Sequence, residues 1–302
     1  MNENRYYENH PNMVLLEITT RCNLTCSYCA ARKLVKHPED LPLDRIITLS
    51  NSLAPFDYIC LCGLGETMLH KNIYEILEVF KDKKVVIVTN GSVPIDYEKL
   101  VQYGNVDAVS FSIDGSTEEE MKNISSNYRF DILLQNLTNA VTYGINTAIN
   151  CTMVPENIAR LKALKDFAIQ YQVKRFKIGF PLGQSKWIKT NVDGITKVLE
   201  NIQSGLEEAG IVFEGPLAVK CTFNNAPIVV VSKNGNVYPC CDYFCQRPLV
   251  GNLFHQDFQT MWEKESYQQF RTGKYCRKCT LYHNLPSIGK LFGLVNHFPC
   301  YK

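Results

Sequence analysis

Short apolar runs alternate along the first two thirds of the chain with segments of helical periodicity. The runs are rich in Val, Ile or Phe and end near polar residues or glycine, as buried strands do. They cover residues 14–18, 58–61, 84–88, 108–113, 147–154 and 175–180. Such nearly continuous apolar runs indicate a parallel sheet that is covered on both faces.

The segments between these runs repeat apolar residues every three or four positions, as one face of a helix does. Four of them begin near Ile73, Ile132, Ile158 and Ile195. Repetition of strand and helix six times predicts right-handed βαβ units, which are too few for a closed eight-stranded barrel. We therefore predict an α/β fold, a partial (β/α)6 TIM-like barrel over residues 12–215, with its chemistry at the carboxyl ends of the strands.

The pattern changes after about residue 215. Two apolar stretches, 227–232 and 237–238, flank the sequence Lys-Asn-Gly-Asn, which is a strong hairpin signal. We predict a small cysteine-rich domain of hairpin and helix over residues 216–282, of a size that needs a metal for stability. Residues 283–302 form a tail that we expect to pack back on the barrel.

Composition and charge exclude several classes of protein. Apolar residues make up 45% of the chain, which is enough for a sizeable core. The net charge is only +2, so no strong electrostatic attraction to nucleic acid or to an anionic membrane is expected. No run of about 18 apolar residues predicts a transmembrane helix. The first residues are polar and do not resemble a signal peptide. We expect a cytoplasmic protein without nucleic-acid or membrane partners.

Thirteen cysteines are many for a cytoplasmic chain, where clustered cysteines usually bind metal or take part in catalysis. One cluster, Cys22-x3-Cys26-x2-Cys29, directly follows the first predicted strand. Three thiolates in a tight loop can bind three irons of a cubane and leave the fourth iron open, as a catalytic site requires. The alternative is a zinc loop, for which His37 is the local candidate for a fourth ligand.

This motif, with the aromatic Tyr28 before its last cysteine, resembles the signature of the radical S-adenosylmethionine (radical SAM) superfamily. The resemblance implies a [4Fe–4S] cluster on Cys22, Cys26 and Cys29, with S-adenosylmethionine chelating the open iron beside Tyr28. It also implies that one electron yields a 5′-deoxyadenosyl radical, which abstracts a hydrogen from a substrate.

Later strand ends resemble the same family. Gly63-Leu-Gly65-Glu66 follows the second strand and is similar to the family's glycine–glutamate motif. There the glycines admit a close backbone approach, and the carboxylate of Glu66 would meet the ammonium group of the cofactor's methionine.

Asn90 follows the third strand, and Ser112 and Asp114 follow the fourth. The resemblance implies that all three contact S-adenosylmethionine, with Ser112 and Asp114 at its ribose. The alternative for Ser112 and Asp114 is capping of the helix that the Glu-rich run 118–120 predicts.

The second cluster of cysteines resembles the auxiliary-cluster extensions of the SPASM and twitch subfamilies. Thirteen residues separate Cys221 from Gly235 and four more precede Cys240, and Cys276-x2-Cys279 follows. The full SPASM pattern has a further cysteine five residues later, where this chain has Leu285. The resemblance is therefore to the twitch version, in which these four cysteines close one auxiliary [4Fe–4S] cluster.

Three cysteines near this extension are left over, Cys241, Cys245 and Cys300. Cys241 or Cys245 could replace a cluster ligand, and any of the three could donate a hydrogen atom to a substrate radical. Ordinary packing is the alternative for each. Cys240, Cys241, Cys276 and Cys279 could instead hold a structural zinc ion.

The resemblance fixes how the reaction starts and leaves its outcome open. A closed auxiliary cluster favours electron acceptance, and thus net oxidation of a sugar-like or cyclitol-like molecule or of a peptide. The alternatives are a redox-neutral epimerase with a cysteine hydrogen donor, and a non-catalytic iron–sulfur or zinc protein. The family implies a flavodoxin-like or ferredoxin-like electron donor. The short stretches outside the two clusters lead us to expect no built-in leader-peptide domain.

Overall fold

The computed structural model describes residues 12–179, 185–215, 229–239 and 249–271. Strands and helices alternate along them. The strands are β1 (Met13–Leu16), β2 (Tyr58–Leu61), β3 (Lys84–Thr89), β4 (Val106–Ser112), β5 (Asn146–Thr152), β6 (Arg175–Gly179), β7 (Val212–Glu214), β8 (Val229–Val231), β9 (Asn236–Tyr238) and β10 (Gly251–Asn252).

The helices lie mostly between consecutive parallel strands. They are α1 (Ala31–Leu34), α2 (Leu43–Ser52), α3 (Ile73–Val79), α4 (Tyr97–Val101), α5 (Glu118–Ile124), α6 (Phe130–Thr142), α7 (Leu161–Gln170), α8 (Ser185–Thr190), α9 (Val192–Glu208), α10 (Phe258–Glu263) and α11 (Glu265–Arg271). Short 3-10 turns at Thr67–Leu69 and Ile158–Arg160 precede α3 and α7.

All ten strands belong to one sheet in the order β10-β9-β8-β1-β2-β3-β4-β5-β6-β7. Pairing is parallel from β8 across to β7, and antiparallel between β8, β9 and β10. Consecutive parallel strands are neighbours from β1 to β7, as repeated βαβ units require. The parallel α/β architecture that the sequence predicts is confirmed, and the carboxyl ends of its strands share one edge.

The two faces of the sheet differ in burial. Residues at alternate positions, such as Leu16, Ile59 and Phe111, are fully buried in a core that includes apolar side chains of α3, α6, α7 and α9. The other face, here called the inner face, is mostly half-buried, as the strand patterns of β3, β5 and β6 show. A helix-covered outer face and a partly open inner face are the layers of a partial barrel.

The strands and the helix ends that the sequence predicts lie close to their observed positions. β2 has the predicted bounds, β5 ends at Thr152 rather than at Val154, and β7 was not predicted. Gly144 and Gly210 follow α6 and α9 with positive φ values of 68° and 73°, which suits glycine.

The hairpin predicted around Gly235 is β8–β9, with Gly235 at φ 76°. Its first strand pairs with β1, so this part of the predicted second domain extends the barrel sheet. The bounds 12–215, 216–282 and 283–302 remain a prediction. No helix among the described residues is long and apolar enough to cross a membrane.

Candidate active site

The cysteine loop follows β1 and lies at the carboxyl edge of the sheet. Cys22 is exposed, and Cys26 and Cys29 are half-buried. The Leu24 N–H donates to Cys22 Sγ at 3.4 Å, and the Cys29 N–H donates to the Cys26 carbonyl at 3.2 Å. These bonds turn the chain so that the three predicted cluster ligands occupy one short loop.

The thiols of this loop lie close enough to affect one another's ionisation. Burial, and then repulsion from Cys29 and Cys22, raises the pKa of Cys26 to about 12. Burial also raises the pKa of Cys22. Such thiols ionise readily only when a cation arrives, and thiolate is the form that binds metal. The donor set therefore fits the iron of a cluster.

A salt bridge holds the entrance to the loop. Arg21 donates from Nε and Nη2 to the two carboxylate oxygens of Asp40, at 2.9 and 2.8 Å, and the Thr19 hydroxyl donates to Asp40 at 2.7 Å. Burial opposes ionisation of Asp40, but the bonds from Arg21 and Thr19 hold its pKa below the usual range. This bidentate pair fixes the residue immediately before Cys22.

The middle of the loop is anchored from the far end of α5. The Thr25 N–H donates to the Ser125 hydroxyl at 3.0 Å, and the Ser27 N–H donates to the carbonyl of the last residue of α5 at 3.2 Å. The side-chain amide of Asn127 donates to the Asn23 carbonyl. Sequence reasoning missed these anchors, which lie about a hundred residues away.

Glu66 connects two strand ends beneath the loop. Its side chain is buried, and one carboxylate oxygen accepts from the Thr89 hydroxyl at 2.6 Å and from the Met68 N–H at 3.0 Å. The other oxygen accepts from the Asn90 N–H at 2.6 Å. Burial raises the pKa of Glu66 and these three donors oppose the rise. These partners give Glu66 a role in joining β2 to β3. Its contact with the cofactor's ammonium group stays a prediction.

The glycines of the same motif allow the β2 loop to pass close to the cysteine loop. A Cβ on Gly65 would lie 2.5 Å from the Thr19 carbonyl oxygen and 2.7 Å from that of Arg21. A Cβ on Gly63 would lie 2.6 Å from Cγ of Glu17. Backbone oxygens cannot move aside as a side chain can, so Gly65 is the stricter requirement.

Gly65→Ala should therefore displace the residues that lead into Cys22. We expect a loss of about 3 kcal/mol of stability, because a Cβ would overlap two backbone oxygens. Thermal unfolding of reconstituted protein should show a Tm lower by about 5–10 °C. Gly194→Ala in α9 is the matched control, since its Cβ meets nothing within 4 Å. An unchanged Tm in Gly65→Ala would contradict the close approach.

Asn90, at the end of β3, contacts the start of the cysteine loop. Its amide nitrogen donates to Asn23 Oδ1 at 2.9 Å and lies 4.0 Å from Cys22 Sγ. Its amide oxygen accepts from the Ser92 hydroxyl at 2.8 Å, and the Tyr128 hydroxyl donates to its carbonyl at 2.6 Å. Asn90 therefore lies against the predicted first ligand, as a residue near a cofactor would.

Tyr28 and Asp114 meet above the end of β4. The Tyr28 hydroxyl and the Thr152 N–H both donate to the Asp114 carboxylate. Burial raises the pKa of Asp114 to about 6, with Tyr28 and Thr152 opposing the rise. Asp114 does not cap α5, because the Thr117 hydroxyl takes that role. The capping alternative is thus wrong for Asp114.

Ser112 does not cap α5 either. It is the last residue of β4 and is level with Asn150 of β5, and through Asn150 with Lys177 of β6. The Asn150 amide donates to the Ser110 hydroxyl at 2.8 Å. The inner face at this edge therefore carries hydroxyl and amide groups suited to a polar ligand.

Several predicted site residues lie outside the described residues. They are the auxiliary-cluster cysteines and the three spare cysteines, namely Cys221, Cys240, Cys241, Cys245, Cys276, Cys279 and Cys300. Their roles remain predictions from sequence. The described residues do bring Tyr28, Gly65, Glu66, Asn90 and Asp114 together around the cysteine loop.

Comparison with known families decides the identity of this arrangement. The family model of the radical SAM superfamily matches residues 16–168, which is half of the chain and includes the cysteine loop and the strand ends around it. The chain belongs to the radical SAM superfamily. The model of the SPASM family, an iron-sulfur cluster-binding domain, matches residues 221–280.

Curated relatives are distant and carry different activities. Fe-coproporphyrin III synthase of Methanosarcina barkeri is 29% identical over 170 residues, covering 54% of this chain and 42% of that protein. The tungsten-containing aldehyde ferredoxin oxidoreductase cofactor-modifying protein of Pyrococcus furiosus is 23% identical over 317 residues, covering 88% and 86%. The chain spans about half the length of the first curated relatives that it matches, 42% and 53%.

Solved structures share the fold at low sequence identity. SuiB of Streptococcus suis bound to S-adenosylmethionine has a TM-score of 0.70 and 15% identity, covering 90% of this chain and 71% of SuiB. The anSMEcpe structure with bound AdoMet and the Cp18Cys peptide has a TM-score of 0.68 and 16% identity, covering 90% and 87%. The mixed α/β radical SAM fold is thereby confirmed.

Membership in the radical SAM superfamily, together with the match to the SPASM model, supplies the cofactors. They are S-adenosylmethionine, the radical SAM [4Fe–4S] cluster and auxiliary iron–sulfur clusters. The thiols of the cysteine loop fit the first cluster, and the polar strand ends beside them fit S-adenosylmethionine.

Proposed function

We propose that this radical SAM enzyme abstracts a hydrogen atom from a small polar molecule or a peptide and oxidises it with the help of one auxiliary cluster. The observation that carries the proposal is that the loop with the three thiols follows β1 and contacts the ends of β3 and β4 through Asn90 and Asp114, while Glu66 joins the end of β2 to that of β3. Such an edge of a parallel sheet is where α/β enzymes hold their reactive groups. The SPASM match supports an electron acceptor in the same chain.

In this proposal Cys22, Cys26 and Cys29 bind the cluster, whose bound S-adenosylmethionine supplies a 5′-deoxyadenosyl radical on one-electron reduction. Asn90 and Tyr28 then lie against the cofactor, and Gly65 lets the β2 loop pass close to the residues that lead into Cys22. Asp114 holds Tyr28 in place through the hydroxyl bond. Ser112 faces the interior at the same level as Asn150 and contacts the ribose or the substrate.

A peptide substrate has support from two structural neighbours. SuiB has been solved with its precursor peptide SuiA, and anSMEcpe with the Cp18Cys peptide. The half-buried inner face of this chain offers Ser110, Asn150 and Thr152, which can hydrogen-bond a peptide backbone or a sugar. The class of substrate, a flavodoxin-like or ferredoxin-like donor and a cytoplasmic location are parts of the proposal.

Release of 5′-deoxyadenosine tests the first step. Anaerobically reconstituted protein should produce it from S-adenosylmethionine and dithionite, because dithionite supplies the electron that starts cleavage of the cofactor. Chromatography with mass detection measures the product, and boiled protein is the control. Absence of 5′-deoxyadenosine from cluster-replete protein would restore the non-catalytic alternative.

A redox-neutral epimerisation is the second candidate function. One observation favours it: Cys62, a thiol that sequence reasoning did not single out, is at the carboxyl end of β2 beside the cofactor motif. A thiol inside the barrel can return hydrogen to a substrate radical, which needs no net electron acceptor.

A further inference from the structure

Cys62 is placed on the inner face of the barrel. Leu15, Cys60 and Val86 are level with one another on β1, β2 and β3, and all three are on the face that the helices leave open. Side chains alternate along a strand, so Cys62 comes next after Cys60 on the same face. It immediately precedes Gly63, where the predicted cofactor motif begins.

Charged groups from other strands face this thiol. Glu17 follows β1, and Lys177 is on β6, four strands from β2 in the sheet. Lys177 is on the inner face, level with Asn150, and its charge favours ionisation of Cys62, whereas the charge of Glu17 opposes it. A hydrogen bond with Cys60, and then burial, raises the pKa of Cys62 well above its usual value. The group is therefore a thiol with its hydrogen in place at neutral pH.

A buried hydroxyl lies near Cys62 on the same face. The Ser232 hydroxyl is 7% exposed and has no hydrogen-bond partner within the described ranges. Ser232 directly follows β8, whose last pair with β1 is Val231 and Leu16, so it is level with Glu17. The adjacent Lys233 N–H donates to Glu17 at 3.3 Å. A buried hydroxyl without a partner is costly and indicates a polar group of a bound molecule.

We propose that Cys62 faces the substrate inside the barrel and returns a hydrogen atom to the substrate radical. The inference rests on the radical initiation that is part of the proposed function, and it names the hydrogen donor for the second candidate, redox-neutral epimerisation. In the step, the Cys62 S–H bond breaks and a substrate C–H bond forms, leaving a sulfur-centred radical. One electron from the flavodoxin-like or ferredoxin-like donor and one proton from solvent then restore the thiol.

Cleavage of S-adenosylmethionine in heavy water tests the position of this thiol without a known substrate. The Cys62 thiol exchanges its proton for deuterium, and its S–H bond is weaker than the C–H bonds around it. Reconstituted protein with dithionite should therefore release 5′-deoxyadenosine that is heavier by one mass unit. Cys62→Ala and Cys62→Ser should both lose this mass shift, and Cys60→Ala, one level deeper on β2, should keep it.

The outcomes separate this inference from the proposed function. Unlabelled 5′-deoxyadenosine from the parent protein, or equal labelling in the parent and both Cys62 variants, overturns the inference and leaves radical initiation intact. No 5′-deoxyadenosine from cluster-replete parent overturns both.

Alkylation gives a reading that does not depend on turnover. N-ethylmaleimide on reconstituted protein without S-adenosylmethionine should modify Cys62 before the more buried Cys60, as peptide mass spectrometry would show. Lys177→Met should slow modification of Cys62, because the cation favours its thiolate. S-adenosylmethionine should protect it. If Cys62 is as unreactive as the buried Cys60 in all conditions, it is not accessible from the interior of the barrel and the inference is wrong.

Discussion

Replacing Cys22, Cys26 and Cys29 together by alanine should abolish release of 5′-deoxyadenosine and lower the iron content from about eight to about four per chain. The fold should survive, because the loop is held by Arg21, by Ser125 and by backbone bonds that the substitutions do not touch. Iron analysis and chromatography of anaerobically reconstituted protein provide the two measurements. The remaining iron would belong to the predicted auxiliary cluster on Cys221, Cys240, Cys276 and Cys279.

Cys60→Ala is the matched control for this triple variant, since Cys60 is a buried thiol of β2 outside the loop. It should retain the iron of both clusters, about eight per chain, and the release of 5′-deoxyadenosine. If the triple variant contains almost no iron and binds zinc instead, the extension is a structural zinc site. Redox-neutral chemistry would then be the favoured reaction. Full retention of iron would contradict the assignment of the cysteine loop.

The sheet was predictable because its strands are buried on the outer face and are followed by polar residues or glycine. β2 and the β8–β9 hairpin show this, since one is a continuous apolar run and the other surrounds an Asn-Gly turn. β7 was missed because it has three residues, and its pairing with β6 depends on the register of a distant strand. The parallel pairing of β8 with β1 could not be read from sequence either, because more than two hundred residues separate them.

The site was predictable where chemistry is local in sequence. The cysteine spacing and the glycine–glutamate motif are each contained in a few residues, and their positions after β1 and β2 follow from the strand pattern. Ser125 and Asn127, which anchor the loop, leave no such pattern, because their partners are backbone groups a hundred residues earlier. Cys62 was missed because only the register reveals which face it occupies.

Glu66→Ala should destabilise the protein by about 3–5 kcal/mol, since three buried donors lose their acceptor at once. The Thr89 hydroxyl and the backbone N–H groups of Met68 and Asn90 would then face a cavity. The side-chain nitrogen of Asn90 also lies 4.0 Å from Cys22 Sγ, so a shift of Asn90 would disturb the cysteine loop. Thermal unfolding of reconstituted protein should therefore show a lower Tm, together with weaker retention of iron on exposure to a chelator.

Glu66→Gln distinguishes this joining role from a direct contact with the cofactor. Glutamine keeps one carbonyl oxygen for Thr89 and Met68 but presents an N–H donor to Asn90, so about 1–2 kcal/mol should be lost. If Glu66 instead bound the cofactor's ammonium group, Glu66→Gln would weaken binding of S-adenosylmethionine and leave Tm nearly unchanged. Measuring Tm and the binding of S-adenosylmethionine on the same reconstituted variant decides between the two. The three donors already on the buried carboxylate are the reason to expect the loss in Tm.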